Sequence, residues 1–415
     1  MEDLLFLAHR IPYPPNKGDK IRSFHILRWL ASRYRVHLGA FVDDPADFAH
    51  ADTLRTYCAS MQLRPLSPLR ARLRSLSGLL TGNPLTNGYY RDRNLTAWTD
   101  NTIARHGIRR AFVFSSGMAR YVAGQTGMHR VMDFVDVDSD KWRQYGETHG
   151  GWRGFVYRRE ARTLLAFERR IAIEFDASLL VSDAEAQLFA RRVPAAGDKI
   201  HALENGVDAE YFSPAREYPN PYPGGIRALV FTGAMDYHAN VDAVAWFVRE
   251  VFPGVRAAVA DARFYIVGGR PANAVRALAT EQGVTVTAAV PDVRPYLQHA
   301  HAAVAPLRVA RGVQNKVLEA MAMARRVVVS PQAAEGIHEF DGLTRDLACD
   351  ATTFSERCIA LLRTHTAPAI ENREFVHMHY NWERNLSRLE HLFDKPVQEP
   401  QSTSVMPLRR TKAAS

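Results

Sequence analysis

The sequence predicts an α/β protein built from two Rossmann-like, doubly wound parallel-sheet domains facing a central cleft. Three observations carry that expectation. Short apolar or β-branched runs alternate with helical patterns along nearly the whole chain, as parallel strands joined by helical crossovers require. The 415 residues, 47% hydrophobic, suffice for two substantial cores. A stretch dense in proline and glycine, "SPAREYPNPYPGG" at 213–225, interrupts the alternation and reads as a linker.

In the first half, strands are expected at "DLLFLAH", "VHLGAFV", "AFVFSS", "RVMDFVD" and "ASLLVS". In the second half they are expected at "RALVFTG", "ARFYIVGG", "VTVTAAV", "AAVAPL" and "RRVVVS", with helices beginning near Asn240, Ala272, Asp292 and Gln314. The expected division is an N-terminal domain over 1–212, the linker 213–225, a C-terminal domain over 226–370, a return helix over 371–394 and a disordered polar tail over 395–415. "VSDAEAQLF" reads as a helix start in which Ser182 and Glu185 form a capping box.

The formal net charge of +9 points to an acidic partner: a phosphorylated substrate, a membrane surface or a nucleic acid. Cys58, Cys349 and Cys358 match neither a disulfide framework nor a zinc site, which fits a reducing cytoplasm. The opening "MEDLLFLAHR" has acids where a signal peptide would carry lysines, and no run of roughly 18 apolar residues occurs. A cytoplasmic protein is expected.

A parallel sheet binds ligands beyond the carboxyl ends of its strands. In the second half those exits carry Gly233, Gly268 and Gly269, "PDVRPY", and "LRVARGVQNK". The glycines would let backbone approach a ligand, or serve ordinary turns. Gly312 lies in a strand-to-helix turn ahead of Gln314, Asn315 and Lys316, where first-turn amides favour an anion. Lys316 and Arg308 could neutralise a diphosphate. Glu319, one turn on, could accept both hydroxyls of a ribose, the alternative being a surface Lys316/Glu319 pair. His238 has no second ligand at metal spacing, and no metal is expected.

The ordered series "ENGVD", "FTGAMDYHANVDAVAWF", "FYIVGGRP", "PDVRPYL" and "PLRVARGVQNKVLEAMA", with "HRIPYPPNKGDKIRSF" and "DFVDVDSDKW" in the first half, resembles the retaining sugar-nucleotide transferases of glycosyltransferase family 4. Within that family it is most similar to the PEP-CTERM/exosortase-associated sugar transferases of bacterial exopolysaccharide clusters. The resemblance implies the GT-B fold, a nucleoside-diphosphate sugar bound by the C-terminal domain, an acceptor bound mainly by the N-terminal one, and transfer without a metal or other cofactor. Lys316, Arg308 and Glu319 would carry the catalysis. The implied partners are the donor, a lipid-linked or polysaccharide acceptor and a peripheral inner-membrane contact, with no nucleic acid. Two rivals remain open: a sugar-nucleotide epimerase and a non-catalytic sugar-nucleotide-binding partner.

The pattern departs from that family at several positions. Its first of two glutamates is Arg311 here, Val135 stands where relatives have a histidine, and Ala288 and Ala324 replace common glycines, tolerable if their φ is negative. Asp136 and Asp138 resemble the metal-binding Asp-x-Asp of the GT-A fold. Ending a first-half strand, they are read instead as acceptor or sugar contacts, or as a solvated turn. Lys17, Gly18, Lys20 and Arg22 open the first helix and could meet an acceptor phosphate, or form a solvated basic turn. Leu66, Leu69, Leu73, Leu76 and Leu80 form a helical stripe flanked by Arg70, Arg72 and Arg74, which fits either a membrane interface or packing on the sheet.

Overall fold

The computed structural model describes residues 1–15, 17–310, 312–364 and 367–393. The expected tail and Arg311 lie outside them. The chain divides into two units, one comprising Met1–Ala202 with the segment from Leu389, the other Leu203–Arg388.

Among the described residues the first unit holds a seven-stranded sheet: β1 (Asp3–Ala8), β2 (Arg35–Val42), β3 (Ser60–Pro65), β4 (Arg110–Phe114), β5 (His129–Val135), β6 (Ala177–Leu180) and β7 (Ile200–Ala202). The order is β3-β2-β1-β4-β5-β6-β7. The second unit holds β8 (Arg227–Thr232), β9 (Ala262–Val267), β10 (Val284–Ala288), β11 (Ala302–Ala305) and β12 (Val327–Val329), in the order β10-β9-β8-β11-β12. Every pairing is parallel. Buried on both faces, central strands such as β1 need unbroken apolar runs, and Leu4–Ala8 are fully buried. Each sheet reverses direction once, between β1 and β4 and between β8 and β11. At such a reversal the loops leaving the two strands diverge and open a crevice.

The ten expected strands form, and β3 and β7 are additional. Both lie at sheet edges. β3 lacks β-branched residues and ends at Pro65, and β7 spans only Ile200–Ala202, so neither leaves a periodic apolar signal. The stretch 213–225 does not behave as a bare linker. It packs on the second unit, where the Tyr218 amide donates to Gln298 (3.0 Å) and the Tyr222 hydroxyl donates to the Tyr296 carbonyl (2.7 Å). The capping box at Ser182 is half formed. The Ser182 hydroxyl accepts from the Glu185 amide (3.2 Å), while the Glu185 carboxylate accepts from the Val137 amide (2.9 Å) instead of returning to its own helix.

Ala288 and Ala324 have φ of 59° and 53°. Neither meets the condition of a negative angle, so both hold an L-residue in the left-handed region at a cost of about 1 kcal/mol each. Glycine there removes that strain, against a larger loss of chain entropy. We expect Ala324→Gly to raise the midpoint of chemical denaturation at unchanged slope. A lowered midpoint would show that the lost methyl contacts outweigh the strain.

Candidate active site

Beside the reversal of the second sheet, β8 is followed directly by Gly233 and its neighbour β9 by Gly268. A β-carbon on Gly268 would lie 1.7 Å from the Gly233 carbonyl oxygen, so glycine here serves backbone-to-backbone packing. One on Gly233 would lie 2.8 Å from Asn240 Nδ2 and 3.4 Å from Lys316 Cε. Gly233 thereby brings the β8 exit and the lysine together across the crevice. At Gly269 the nearest neighbour would be Ala289 at 3.8 Å, an ordinary contact that other residues could make.

The other wall is the turn after β11. Gly312 takes φ 63°, and the peptide it forms with Val313 is covered by Gly336, where a β-carbon would sit 2.5 Å from the Gly312 carbonyl carbon. Gly336 escaped the sequence reading because no strand ends beside it. The helix Asn315–Ala322 follows, burying Val317, Leu318, Ala320 and Met321 against the sheet and leaving Lys316 and Glu319 on its other face. Gln314 stands at its N-cap without a side-chain cap; its amide instead donates to the Gly312 carbonyl (3.1 Å) and accepts from Lys316 Nζ (3.4 Å). The helix's first amides, at Asn315 and Lys316, have no intrahelical acceptor.

Lys316 Nζ lies 5.6 Å from the centre of the Phe231 ring. Burial pushes its pKa down to about 8, against the raising field of Glu319. Burial likewise pushes Glu319 up to about 7, against the lowering field of Lys316. Two groups of opposite charge one turn apart thus titrate close to neutrality, the condition in which a small change of environment switches them. The side-chain oxygens of Asn315 and Asn240 are buried without a hydrogen-bond partner, although Asn240 Nδ2 donates to the Ala234 carbonyl (2.9 Å). Asn240 lies in the helix His238–Trp246, inside a motif quoted for the resemblance, where no local signal singles out its side chain.

Arg308 does not stand free beside the turn. Its guanidinium is clamped by both carboxylate oxygens of Asp242, with Nε at 2.9 Å from Oδ2. Asp292 and Arg294 of the "PDVRPY" exit are also accounted for internally: they pair at 2.7 Å, and Arg294 stacks on Tyr211 at 3.6 Å.

In the first unit the predicted acceptor residues separate. Lys17 stands at the N-cap of the helix Gly18–Ala31 without a side-chain cap, and nothing lies within 4 Å of where a Gly18 β-carbon would be, so that glycine serves no close approach. Lys20 and Arg22 correct the expectation of a phosphate-facing turn. Both are 1% exposed; Lys20 pairs with Asp47 (2.7 Å), and Arg22 donates to both oxygens of Asp133 (2.8 and 3.2 Å). Asp136 and Asp138 are bridged by Lys141 Nζ at 2.7 and 3.2 Å, so the two carboxylates share an internal cation. What stands at the first sheet's reversal instead is His9, Arg10 and Asp19, legible in hindsight as the "HR" directly after β1. His9 Nε2 lies 3.2 Å from the Asp19 carboxylate, which Arg10 also contacts. Burial would raise Asp19, but these partners hold it well below the usual carboxylate range.

Two doubly wound sheets with these strand orders in one chain make the GT-B fold. Residues 226–364 match the family model of the glycosyl transferases group 1. The chain is a glycosyltransferase of that fold. No curated protein matches it. Sucrose-phosphate synthase from Thermosynechococcus elongatus superposes with a TM-score of 0.67 at 17% identity, over 95% of this chain and 98% of that one. WaaG, a glycosyltransferase involved in lipopolysaccharide biosynthesis, gives 0.62 at 14% identity over 94% and 100%. Anabaena HepE in complex with UDP and glucose gives 0.62 at 14% identity over 95% and 99%. At such identities the likeness concerns the fold.

Because the Glu319 charge is the one partner raising Lys316, Glu319→Gln should lower the lysine further below about 8. Nitrogen-detected NMR of the Lys316 amine reads this directly; an unmoved titration would mean that the two groups do not share a field.

Proposed function

We propose that this glycosyltransferase takes its sugar from a nucleoside diphosphate bound at the crevice between the β8 and β11 exits, and that it acts as a retaining enzyme of family 4 in exopolysaccharide synthesis. The observation that carries the reading is Lys316 at the open first turn of the Asn315–Ala322 helix, one turn from Glu319 and directly against Gly233. In this reading the helix amides and the Lys316 ammonium hold the diphosphate, and Glu319 accepts from the ribose hydroxyls. The unpartnered oxygens of Asn240 and Asn315 accept from sugar hydroxyls. The resemblance of the motif series to family 4 supports the donor class, as does a fold relative solved with UDP-glucose, Anabaena HepE.

The chemistry follows from that placement. As the bond from the anomeric carbon to the diphosphate oxygen breaks, negative charge grows on the phosphate, and a dry ammonium with fixed amides stabilises it before any solvent must reorganise. The acceptor hydroxyl forms the new bond on the same face and passes its proton to the departing phosphate oxygen. No residue is needed as a separate base and no metal enters. Arg308 takes no part while Asp242 holds it.

Calorimetry tests the site with whichever nucleoside diphosphate stabilises the protein most in a thermal-shift screen. Lys316→Met and Glu319→Gln should each weaken binding by about one to two decades, the loss of a charge-assisted contact, with the ligand-free melting temperature near wild type. Binding should fall as pH rises through about 8, where Lys316 loses its proton, and Lys316→Met should abolish that limb. Transfer should persist in EDTA. Unchanged affinity in both variants, or activity restored only by manganese or magnesium, would overturn the assignment.

The acceptor is proposed to be lipid-linked and met at the inner membrane surface. Among the described residues no helix is long and apolar enough to cross a membrane. The helix Pro68–Ser75 instead turns Ala71 and Ser75 inward and leaves Leu69, Leu73 and the following Leu76 exposed at 73%, 68% and 52%. Of the expected stripe Leu66 alone is buried, and the side chain of Leu80 lies outside the description. Arg70, Arg72 and Arg74 are exposed beside those leucines, an arrangement suited to an anionic interface. Each arginine contributes about 1 kcal/mol there, so replacing all three with glutamine should cut co-sedimentation with acidic vesicles about a hundredfold at low salt. Equal pelleting of the triple variant, or wild type remaining in the supernatant, would reject this surface.

A further inference from the structure

A second cavity lies wholly within the first unit, between the helices Asp138–Thr148, Gly151–Glu174 and Asp183–Arg192. Its volume is about 550 Å³, in the range of small-molecule sites. The floor is apolar, formed by Val137, Ala161 and Leu165, with Phe155 at its side. Phe155 is 49% exposed and stacks on Trp152, itself 70% exposed, with ring centres 5.5 Å apart.

Around that floor stand Arg143, Arg158, Arg162 and Arg192, with Asp140 the one acid among the lining residues. Asp140 is already shared, accepting from Arg143 (2.9 Å) and Arg192 (3.2 Å). The remaining two arginines have no carboxylate. Arg158 donates to the Gly146 carbonyl (2.9 Å), and Arg162 has no hydrogen-bond or ion-pair partner among the described residues. They sit four residues apart on one helix, so two like charges face each other without compensation, a destabilising arrangement that an anion would relieve. Glu168, behind Ser139, does not supply it: the Ser139 amide donates to Glu168 (3.2 Å), and burial pushes that carboxyl up to about 8, leaving it neutral near pH 7.

We infer that this cavity binds a long-chain prenyl or alkyl phosphate, its phosphate between Arg158 and Arg162 and the first part of its chain over Phe155 and Leu165. Resting on the reading of a lipid-linked acceptor, this names where the lipid carrier is held. The cavity opens beside the β5 exit, the ligand-binding edge of the first sheet, because the helix Asp138–Thr148 starts there. The surrounding structure also ties it to the exposed leucines. The long helix that carries Phe155, Arg158 and Arg162 uses its next residues, Arg159 and Glu160, to hold the segment following the leucine helix: Arg159 donates to the Gly78 and Asn83 carbonyls, and Glu160 accepts from the Leu85 and Thr86 amides (2.8 and 3.0 Å). A chain drawn from a lipid surface would therefore meet the leucines and the cavity on one connected framework.

The test uses farnesyl phosphate below its micelle concentration, read by calorimetry, with farnesol and inorganic phosphate as separate arms. Farnesyl phosphate should bind, and both partial ligands should bind at least tenfold more weakly. Arg162→Gln, at an exposed position with no partner, should weaken farnesyl phosphate ten- to a hundredfold and leave nucleoside diphosphate binding unchanged. Farnesol binding as tightly as its phosphate, inorganic phosphate binding as tightly as the ester, or an unaffected Arg162→Gln variant would each overturn the inference. So would sedimentation showing a dimer that Phe155→Ser dissolves, since a second copy would then cover the face. Co-sedimentation with acidic vesicles in the same preparation separates the two failures: if the protein still pellets without binding farnesyl phosphate, only the cavity is lost, and if it stays in the supernatant, the lipid-linked reading falls with it.

Discussion

The carboxyl edge of the first sheet is organised by a single buried ion pair. Arg22, on the first helix, donates from Nε and Nη2 to the two carboxylate oxygens of Asp133 in β5, with 1% and 0% of the side chains exposed. The same carboxylate accepts from the Val135 amide (3.1 Å) and so holds that β-branched residue at φ 68°, where the β5–β6 register shifts. From this kink the chain turns through Asp136 into the helix Asp138–Thr148. One pair thus clamps the first helix to the sheet and aims the loop that carries two further carboxylates. Such a pair adds little net stability against a hydrophobic alternative, but removing one partner strands a buried charge at about 3–5 kcal/mol. The strain at Val135 persists because the pair over-determines it.

The second sheet solves its edge with backbone. Gly233 and Gly268 bring the exits of β8 and β9 into direct contact, and Gly312 and Gly336 do the same beneath the turn after β11. Freed of side chains, these exits leave room for Lys316 and Glu319 to face the crevice while partly buried. The low polarity that shifts both groups toward neutrality is also what strengthens their interaction with a charged ligand. In the proposed reading, a diphosphate brought there would meet donors whose positions the helix has already set, which is where electrostatic catalysis draws its advantage.

The family resemblance and the structure meet most closely in the second unit, where the motif glycines and the Lys316–Glu319 turn fall on the same edge. In the first unit, chemistry expected of exposed cations and acids is taken up internally. Lys20 belongs to Asp47, Arg22 to Asp133, and Asp136 and Asp138 to Lys141. Arg308 belongs to Asp242 in the same way. The residues left for a ligand there were not singled out from the sequence: His9, at a strand exit, opens a motif read for its later lysines, and Arg158 with Arg162 lie on a long helix outside every quoted motif.

The alternation of apolar runs and helical periods was enough to place ten of the twelve described strands, because a strand buried on two faces must be continuously apolar and its crossover must be amphipathic. The turn after β11 was also legible as a turn, since a glycine, an open helix start and a lysine one residue inside it are local features. What remained hidden was the identity of each charge's partner. Arg22 and Asp133 are separated by 111 positions, and Arg308 and Asp242 by 66, so nothing in either neighbourhood announces the other. The edge strands β3 and β7, the positive φ of Ala288 and Ala324, and the outward turn of Leu69 and Leu73 belong to the same class. A local pattern states what a residue can do. Which of those possibilities is taken depends on the group that long-range packing places within about 3 Å of it.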